Sequence, residues 1–373
     1  MHKILKIFKK LDWSLFLSII GLAVISLLII GSATHANISH VEGQFDFIIK
    51  QGAFLLLGII TSIFMLKYDF HILEKYIKSI YILNIILLLI VKFAGTSALG
   101  AQRWIQIGPF TLQPSEFAKL FMIICLAKLL AKHPEGFHTW KSLIPVIALM
   151  GIPFILVLIQ PDLGTSLVFG AITFGMLYAC GFDMKMFKQI LGGFIVSLPA
   201  IWFFLLHDYQ KMRIKVLFDP DLDPFGSGYH VIQSKIAIGS GGFFGKGLFE
   251  GTQSQLNFLP ENHTDFIFSV VGEELGFIGA IFLLFLYFLI LYRALIISHS
   301  THDRFGSLIA VGIFSMWLFQ VFINVGMTLG IMPVTGIPLP FMSYGGSALL
   351  MNILCVGLLM NIFIRRKKLL FDE

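Results

Sequence analysis

Charge is scarce in this chain. Only 13% of its 373 residues are Asp, Glu, Lys or Arg, about half the ~25% typical of a soluble domain. That excludes an ordinary water-soluble fold, which would leave apolar helix faces with nothing to cover them. Cysteine is rarer still: Cys125, Cys180 and Cys355 are the three in the chain. All three fall inside apolar runs, which excludes the disulfide framework of a small secreted domain. No Cys/His spacing offers a structural zinc site, so the three read as small buried apolar residues. A clustered basic face is also missing, which excludes nucleic acid as a partner. Linkers, low-complexity tracts and internal repeats are absent. The chain therefore reads as one integral membrane domain, 1–373, and an inverted-repeat transporter gains no support.

What fills the chain instead is apolar. Hydrophobic residues make up 57%, arranged in runs of the ~20 residues that cross a bilayer as a helix. They lie near 13–32, 46–66, 77–94, 115–132, 142–159, 163–181, 189–206, 266–292, 305–327 and 341–364. The expected fold class is an all-α polytopic membrane protein of about ten transmembrane helices, with a large external loop, 207–265, between helices 7 and 8. Lys3, Lys6, Lys9 and Lys10 precede the first run as in a signal peptide. Yet Leu15 to Ile30 is longer than the usual signal core of about 7–15 residues, and no small-x-small cleavage site follows, so this run reads as an uncleaved helix.

Lys and Arg accumulate in cytoplasmic loops. Here one set of alternate loops holds Lys67, Lys75, Lys78, Lys132, Lys141, Lys185, Lys188, Arg293 and Arg304, with Arg365-Arg366-Lys367-Lys368 in the tail, whereas 33–45 and 328–340 hold neither type. Both termini are thus expected in the cytoplasm, with Lys75, Lys141 and Arg304 inside and Arg103, Asp265 and Pro338 outside. The net charge of +6 is then a signature of topology.

Against that rule, the external segments gather Arg103, Lys119, Lys211, Arg213, Lys215, Lys235 and Lys246. Singly, such residues snorkel to ordinary headgroups; as a set they suit an anionic lipid phosphate or pyrophosphate. Trp104, beside Arg103, is either an interface aromatic or a platform for a sugar ring. Glu116 and Lys119 stand at i and i+3 on one helix face, as a structural pair or as part of a substrate site. In Gln160-Pro161-Asp162-Leu163-Gly164, Pro161 stops one helix and Asp162 can cap the next. The glycines from Gly239 to Gly247 suit tight turns or close approach to a ligand. Three prolines in Pro333–Pro340 stiffen the approach to the last span, which continues through Ser343 to Gly345-Gly346.

Asp265 has the strongest claim to chemistry. It opens a long apolar run, where a carboxylate is costly and marks a functional site by default. Partial burial would raise its pKa toward neutrality and make it a better general base. The bland alternative is an N-cap. Glu273 and Glu274 lie about two turns deeper.

Taken in order, Gly100–Ile105, Gln113–Lys119, Gln160–Thr165, Pro260-Glu261 with Thr264–Ile267, Gly272–Gly276 and Pro333–Ser347 resemble the SEDS (shape, elongation, division and sporulation) family. The short tails look more like its elongation branch than its division branch. The resemblance implies a ten-helix bacterial inner-membrane glycosyltransferase that polymerises lipid II into glycan strands. It also implies that Asp265 matches the family's essential external aspartate, and that a class B penicillin-binding protein, a transpeptidase, docks through transmembrane helices. Elongation-complex proteins and membrane lipids are the other expected partners. Asp265 is then the expected catalytic residue, with Arg103, Trp104, Glu116, Lys119, Asp162, Arg213 and Ser343 binding substrate. No cofactor is required by the sequence; a divalent cation such as Mg2+ or Mn2+ could join Arg103, Lys119 and Arg213 on the pyrophosphates, its ligands unassigned. A lipid II flippase would use the same cations without chemistry.

Overall fold

A computed structural model describes residues 10–35, 44–98, 101–108 and 110–366. Among them are ten helices of 17 residues or more, at the ten places where the sequence has apolar runs. They are α1 (Trp13–Ala33), α2 (Gln44–Met65), α4 (Ile77–Ala94), α5 (Pro114–Ala131), α6 (Trp140–Ile159), α7 (Leu163–Ala179), α8 (Met184–Ala200, prolonged by a π turn to Leu205), α12 (Ile267–Ser300), α13 (Arg304–Thr328) and α14 (Gly346–Arg365). Between α2 and α4 lies the single turn α3 (Ile72–Lys75). Seven of the helices are long and apolar enough to cross a membrane, and Leu163–Ala179 is a shorter apolar one. The protein is a multi-pass, mostly helical membrane protein. Several helices start on a short polar side chain that accepts a free backbone N–H: Asp12 takes Leu15 N, Asp162 takes Thr165 N and Asp303 takes Gly306 N. Lys3, Lys6, Lys9, Lys367, Lys368, Leu99, Gly100, Pro109 and most of the 33–45 loop lie outside the described residues.

One departure from a purely helical reading sits between α4 and α5. There β1 (Thr96–Ala98), β2 (Ala101–Ile107) and β3 (Phe110–Leu112) form a three-stranded antiparallel sheet, with Thr96 opposite Trp104 and Ile105 opposite Leu112. Gly108, at φ +60°, turns β2 into β3. The segment is too short for a helix span and takes the extended form that its β-branched and aromatic residues favour.

The 207–265 segment is built, not coiled. It holds α9 (Asp208–Phe218), α10 (Ser227–Ser240) and the single turn α11 (Thr252–Gln255). Val216, Val231, Ala237, Leu259, Phe266, Met327 and Val334 form a small apolar core beneath it. Ser234 of α10 bonds Ser269 Oγ and the Thr328 carbonyl, each at 2.6 Å. Gly241 and Gly245 of this segment let the loop approach a helix closely: a Cβ at either would fall about 2 Å from an α12 carbonyl, Gly272 O (2.0 Å) or Glu274 O (2.1 Å). α12 breaks at Gly276 (φ 66°, ψ −165°), and the loop backbone fills the break. Phe277 N donates to Gly242 O at 2.9 Å, Lys246 N to Glu273 O and Gly247 N to Glu274 O at 3.0 Å. Irregular backbone at membrane depth persists only where protein satisfies it in this way. Glu273, fully buried, clamps the loop further, accepting from Lys246 Nζ (2.9 Å), Gln253 N (2.8 Å) and Ser254 N (3.2 Å).

The two ends of the bundle differ in chemistry. At one end Arg293 holds Asp12, Lys128 meets Glu74, Arg365 lies 3.7 Å from Asp69, and His71 sits between Asp69 and Asp303. At the other end lie the sheet, α9–α11 and the Pro333–Gly345 segment.

Candidate active site

The site forms where five segments meet: the tip of β2, the α6–α7 turn, α9, the stretch before α12, and the proline-rich segment before α14. Asp265 lies half-buried two residues ahead of α12. The capping reading fails, because Phe266 occupies the N-cap position and no side chain caps this helix. The Asp265 carboxylate has no hydrogen bond among the described residues. Burial pushes it up to about 6, and the negative charges of Glu261 and Asp162 push the same way, while Arg213 and Arg103 oppose them. A carboxylate so placed is ionised near neutral pH yet basic enough to take a proton. Gly336, in the left-handed region at φ +72°, closes over it, and a side chain there would come within 3.4 Å of Asp265 Oδ2.

Two arginines answer the carboxylates. Arg103, on β2, donates from Nε to Gln160 O at 3.2 Å and from Nη2 to Pro161 O, and Nη1 lies 3.9 Å from Asp162 Oδ1. Its planar fork thereby ties the sheet to the α6–α7 turn, which no lysine could do. Asp162 is chiefly the cap of α7, taking Thr165 N at 3.1 Å and Thr165 Oγ1 at 2.9 Å. Arg213 stands on α9 over the Tyr209 ring, 5.8 Å from its centroid. Burial lowers the pKa of His230, whose ring stacks on Phe266 at 5.7 Å. At neutral pH the cationic groups facing Asp265 are therefore the two arginines.

Other expected site residues lie apart. Lys119 is 1% exposed and bonds Glu116 at 2.8 Å inside the helical core. The i, i+3 face of α5 turns inward because Gln113, at its head, is fastened to Ser347 of α14 at 2.9 Å. In this conformation both charges are buried within the bundle. Lys246 is spent on Glu273 and Lys211 on Asp208, at 3.8 Å. Trp104 follows Arg103 along β2, so the two side chains leave opposite faces of the strand. Ser343 is buried; its hydroxyl donates to Thr264 O at 2.7 Å and accepts Leu339 N at 2.8 Å. Its hydrogen bonds thus serve the chain itself. Glu261, which the sequence offers within the Pro260-Glu261 motif but without a site role, faces Asp265 electrostatically; its φ of 51° and its bond from Thr264 Oγ1 at 2.9 Å hold it there. The sequence signal was a second acid four residues ahead of the first.

Comparison with known proteins places the chain. Residues 12–368 match the family model of cell cycle proteins of the FtsW/RodA/SpoVE type. Peptidoglycan glycosyltransferase MrdB of Escherichia coli K12 is 40% identical over 362 residues, covering 96% of this chain and 95% of MrdB. A probable peptidoglycan glycosyltransferase FtsW of Trichlorobacter lovleyi is 36% identical, covering 94% of this chain and 92% of its own. Among solved structures, a chain from a peptidoglycan synthase complex that coordinates polymerization and crosslinking superposes with a TM-score of 0.79 at 32% identity, covering 95% of this chain and 97% of that one. The rod shape determining protein RodA of Thermus thermophilus superposes at 0.71 with 28% identity, covering 96% of this chain and 98% of its own. The SEDS resemblance of the motifs is borne out: this chain belongs to the FtsW/RodA/SpoVE family.

Proposed function

We propose that the chain is a peptidoglycan glycosyltransferase that polymerises lipid II into glycan strands, and that it serves cell elongation. The observation that carries the chemistry is the Asp265 carboxylate, raised to about 6 and facing Arg103 and Arg213. The relatives named as peptidoglycan glycosyltransferases support the substrate class, and the likeness to MrdB and RodA supports the elongation role.

The step requires a base on the acceptor hydroxyl and positive charge on the leaving group. Asp265 accepts the proton of the acceptor sugar's hydroxyl as that oxygen bonds to the anomeric carbon of the donor. The bond from that carbon to the pyrophosphate oxygen breaks, and its electron pair leaves with the lipid pyrophosphate. Arg103 and Arg213 face the charge that develops. The anomeric centre inverts, and no covalent enzyme intermediate is needed. A divalent cation fits this site poorly as a protein-only centre, since no group of three His, Cys, Asp or Glu residues suited to a metal occurs among the described residues.

The Asp265 end faces outward in the inner membrane, with both termini cytoplasmic, in keeping with the Lys and Arg distribution. A class B penicillin-binding protein docks its single helix on the membrane-facing sides of α12 and α13. Purified protein with that partner, given labelled lipid II, is expected to yield glycan strands resolvable by gel. Translocation of the lipid across vesicles with no polymer formed would replace this reading with transport.

A further inference from the structure

We propose that Asn324 is a positioning residue for the Asp265 carboxylate, acting together with Ser343. This rests on the reading of Asp265 as the base. No hydrogen bond from the described residues holds the carboxylate itself, so its aim is set by the backbone that carries it. That backbone is fastened at three consecutive carbonyls. His263 O accepts Tyr344 N at 2.9 Å, Thr264 O accepts Ser343 Oγ at 2.7 Å, and Asp265 O accepts Asn324 Nδ2 at 2.9 Å. The same Asn324 amide donates to Ile337 O at 2.8 Å, and Ser343 Oγ accepts Leu339 N at 2.8 Å. Each of these two side chains therefore joins the Asp265 stretch to the proline-rich segment that closes over it.

Asn324 is fully buried in the apolar helix α13. An amide is costly there unless its hydrogen bonds are used. Both of its N–H groups are used, and both go to carbonyls that border the carboxylate, while its Oδ1 has no partner among the described residues. Donation to two carbonyls also fixes which end of the amide is nitrogen. A leucine of similar volume would keep the packing and remove both bonds, leaving Asp265 O and Ile337 O without these donors. The Asp265 stretch could then shift by a fraction of an ångström. Misplacement of a reacting group by about 1 Å can cost on the order of a hundredfold in rate.

The test is a double-mutant cycle in the full-length protein with its transpeptidase partner, using labelled lipid II. Asn324→Leu is expected to lower kcat by about 30- to 100-fold, to leave KM within about threefold, and to keep a monodisperse, helical protein. In the Asp265→Asn background the same change is expected to cost less than about threefold, because a residue that acts through another loses its effect when that other is gone. Ser343→Ala is expected to show the same non-additivity, and Ser343→Thr, which retains the hydroxyl, to recover much of the rate. An equal loss in both backgrounds would overturn the proposal, as would a rise in KM alone or an unchanged kcat. If Asn324→Leu fails to fold, Ser343→Ala is judged by the same criteria. An Asp265→Asn protein that polymerises normally would instead remove the base itself, and the positioning role with it.

Discussion

Asp265 combines partial burial, two opposing arginines and a carboxylate with no hydrogen bond among the described residues, and that combination separates its catalytic from its structural consequences. Asp265→Asn keeps the shape but cannot accept a proton, so polymerisation is expected to fall by about 10²–10⁴-fold. In the parent protein the rate is expected to rise with pH through a limb near 6, the value at which the carboxylate ionises. Stability runs the other way. The folded-state value of about 6 lies above the ordinary 3.8, so this group's contribution to folding is fully present below about 3.8 and lost as pH climbs through 6. Asp265→Asn should therefore melt at a slightly higher temperature than the parent at pH 7.5, with the gap closing at pH 4. A variant that is equally active, or that melts lower at pH 7.5, contradicts the assignment. Asp265 was legible in the sequence because an acid before an apolar span is conspicuous. Asn324 is not legible in this way: in the sequence it is one polar residue within an apolar run, and its partners come from segments 59 and 13 positions away.

At the scale of elements, the ten helices could be read from apolar runs, because bilayer thickness dictates their length. The interior of the 207–265 segment could not. Its glycines promised close approach, but sequence has no way to name the surface approached, and that surface is the broken α12. Likewise the cation list mixed residues of different depth, since Lys119 looks like any interfacial lysine until α5 is rotated into the bundle. The break makes a sharp prediction. At Gly276 φ is +66°, and a Cβ would press on Phe244 C at 2.7 Å. With ψ at −165° this is a backbone region essentially reserved for glycine, and holding another residue there costs about 1–3 kcal/mol, before the clash. Gly276→Ala is expected to lower the thermal midpoint by several degrees and to increase proteolysis within 241–251. An unchanged midpoint and protease pattern would show that the loop does not depend on the break.

For the whole molecule, the faces that remain open to lipid are informative. α12 exposes Phe277, Ile278, Ile281, Phe282, Phe285 and Phe288, and α13 exposes Leu318 and Phe322. A single-pass helix can pack there without desolvating a charge. Bulky-for-small changes on the lipid-facing sides of these two helices are expected to reduce co-purification of the transpeptidase while leaving the protein folded. Full retention across both helices would move the docking site elsewhere.

The long α12 also acts as a ruler. Its residues from Ile267 to Glu274 are wrapped in protein, and lipid-facing side chains begin only at Phe277. At 1.5 Å per helical residue, Ile267, two residues past Asp265, stands roughly 15 Å above the first rung that touches acyl chains. The headgroup layer is only about 5–8 Å deep on each side, so a carboxylate at that height stands clear of the acyl chains, on the side where a lipid-borne pyrophosphate rides while its tail stays immersed. Altitude above the oil is then a parameter of catalysis, fixed by counting residues. Vesicles made from progressively longer acyl chains should show a rate optimum at one membrane thickness and a decline on either side, because a carboxylate held by a rigid post cannot follow a surface that rises or sinks.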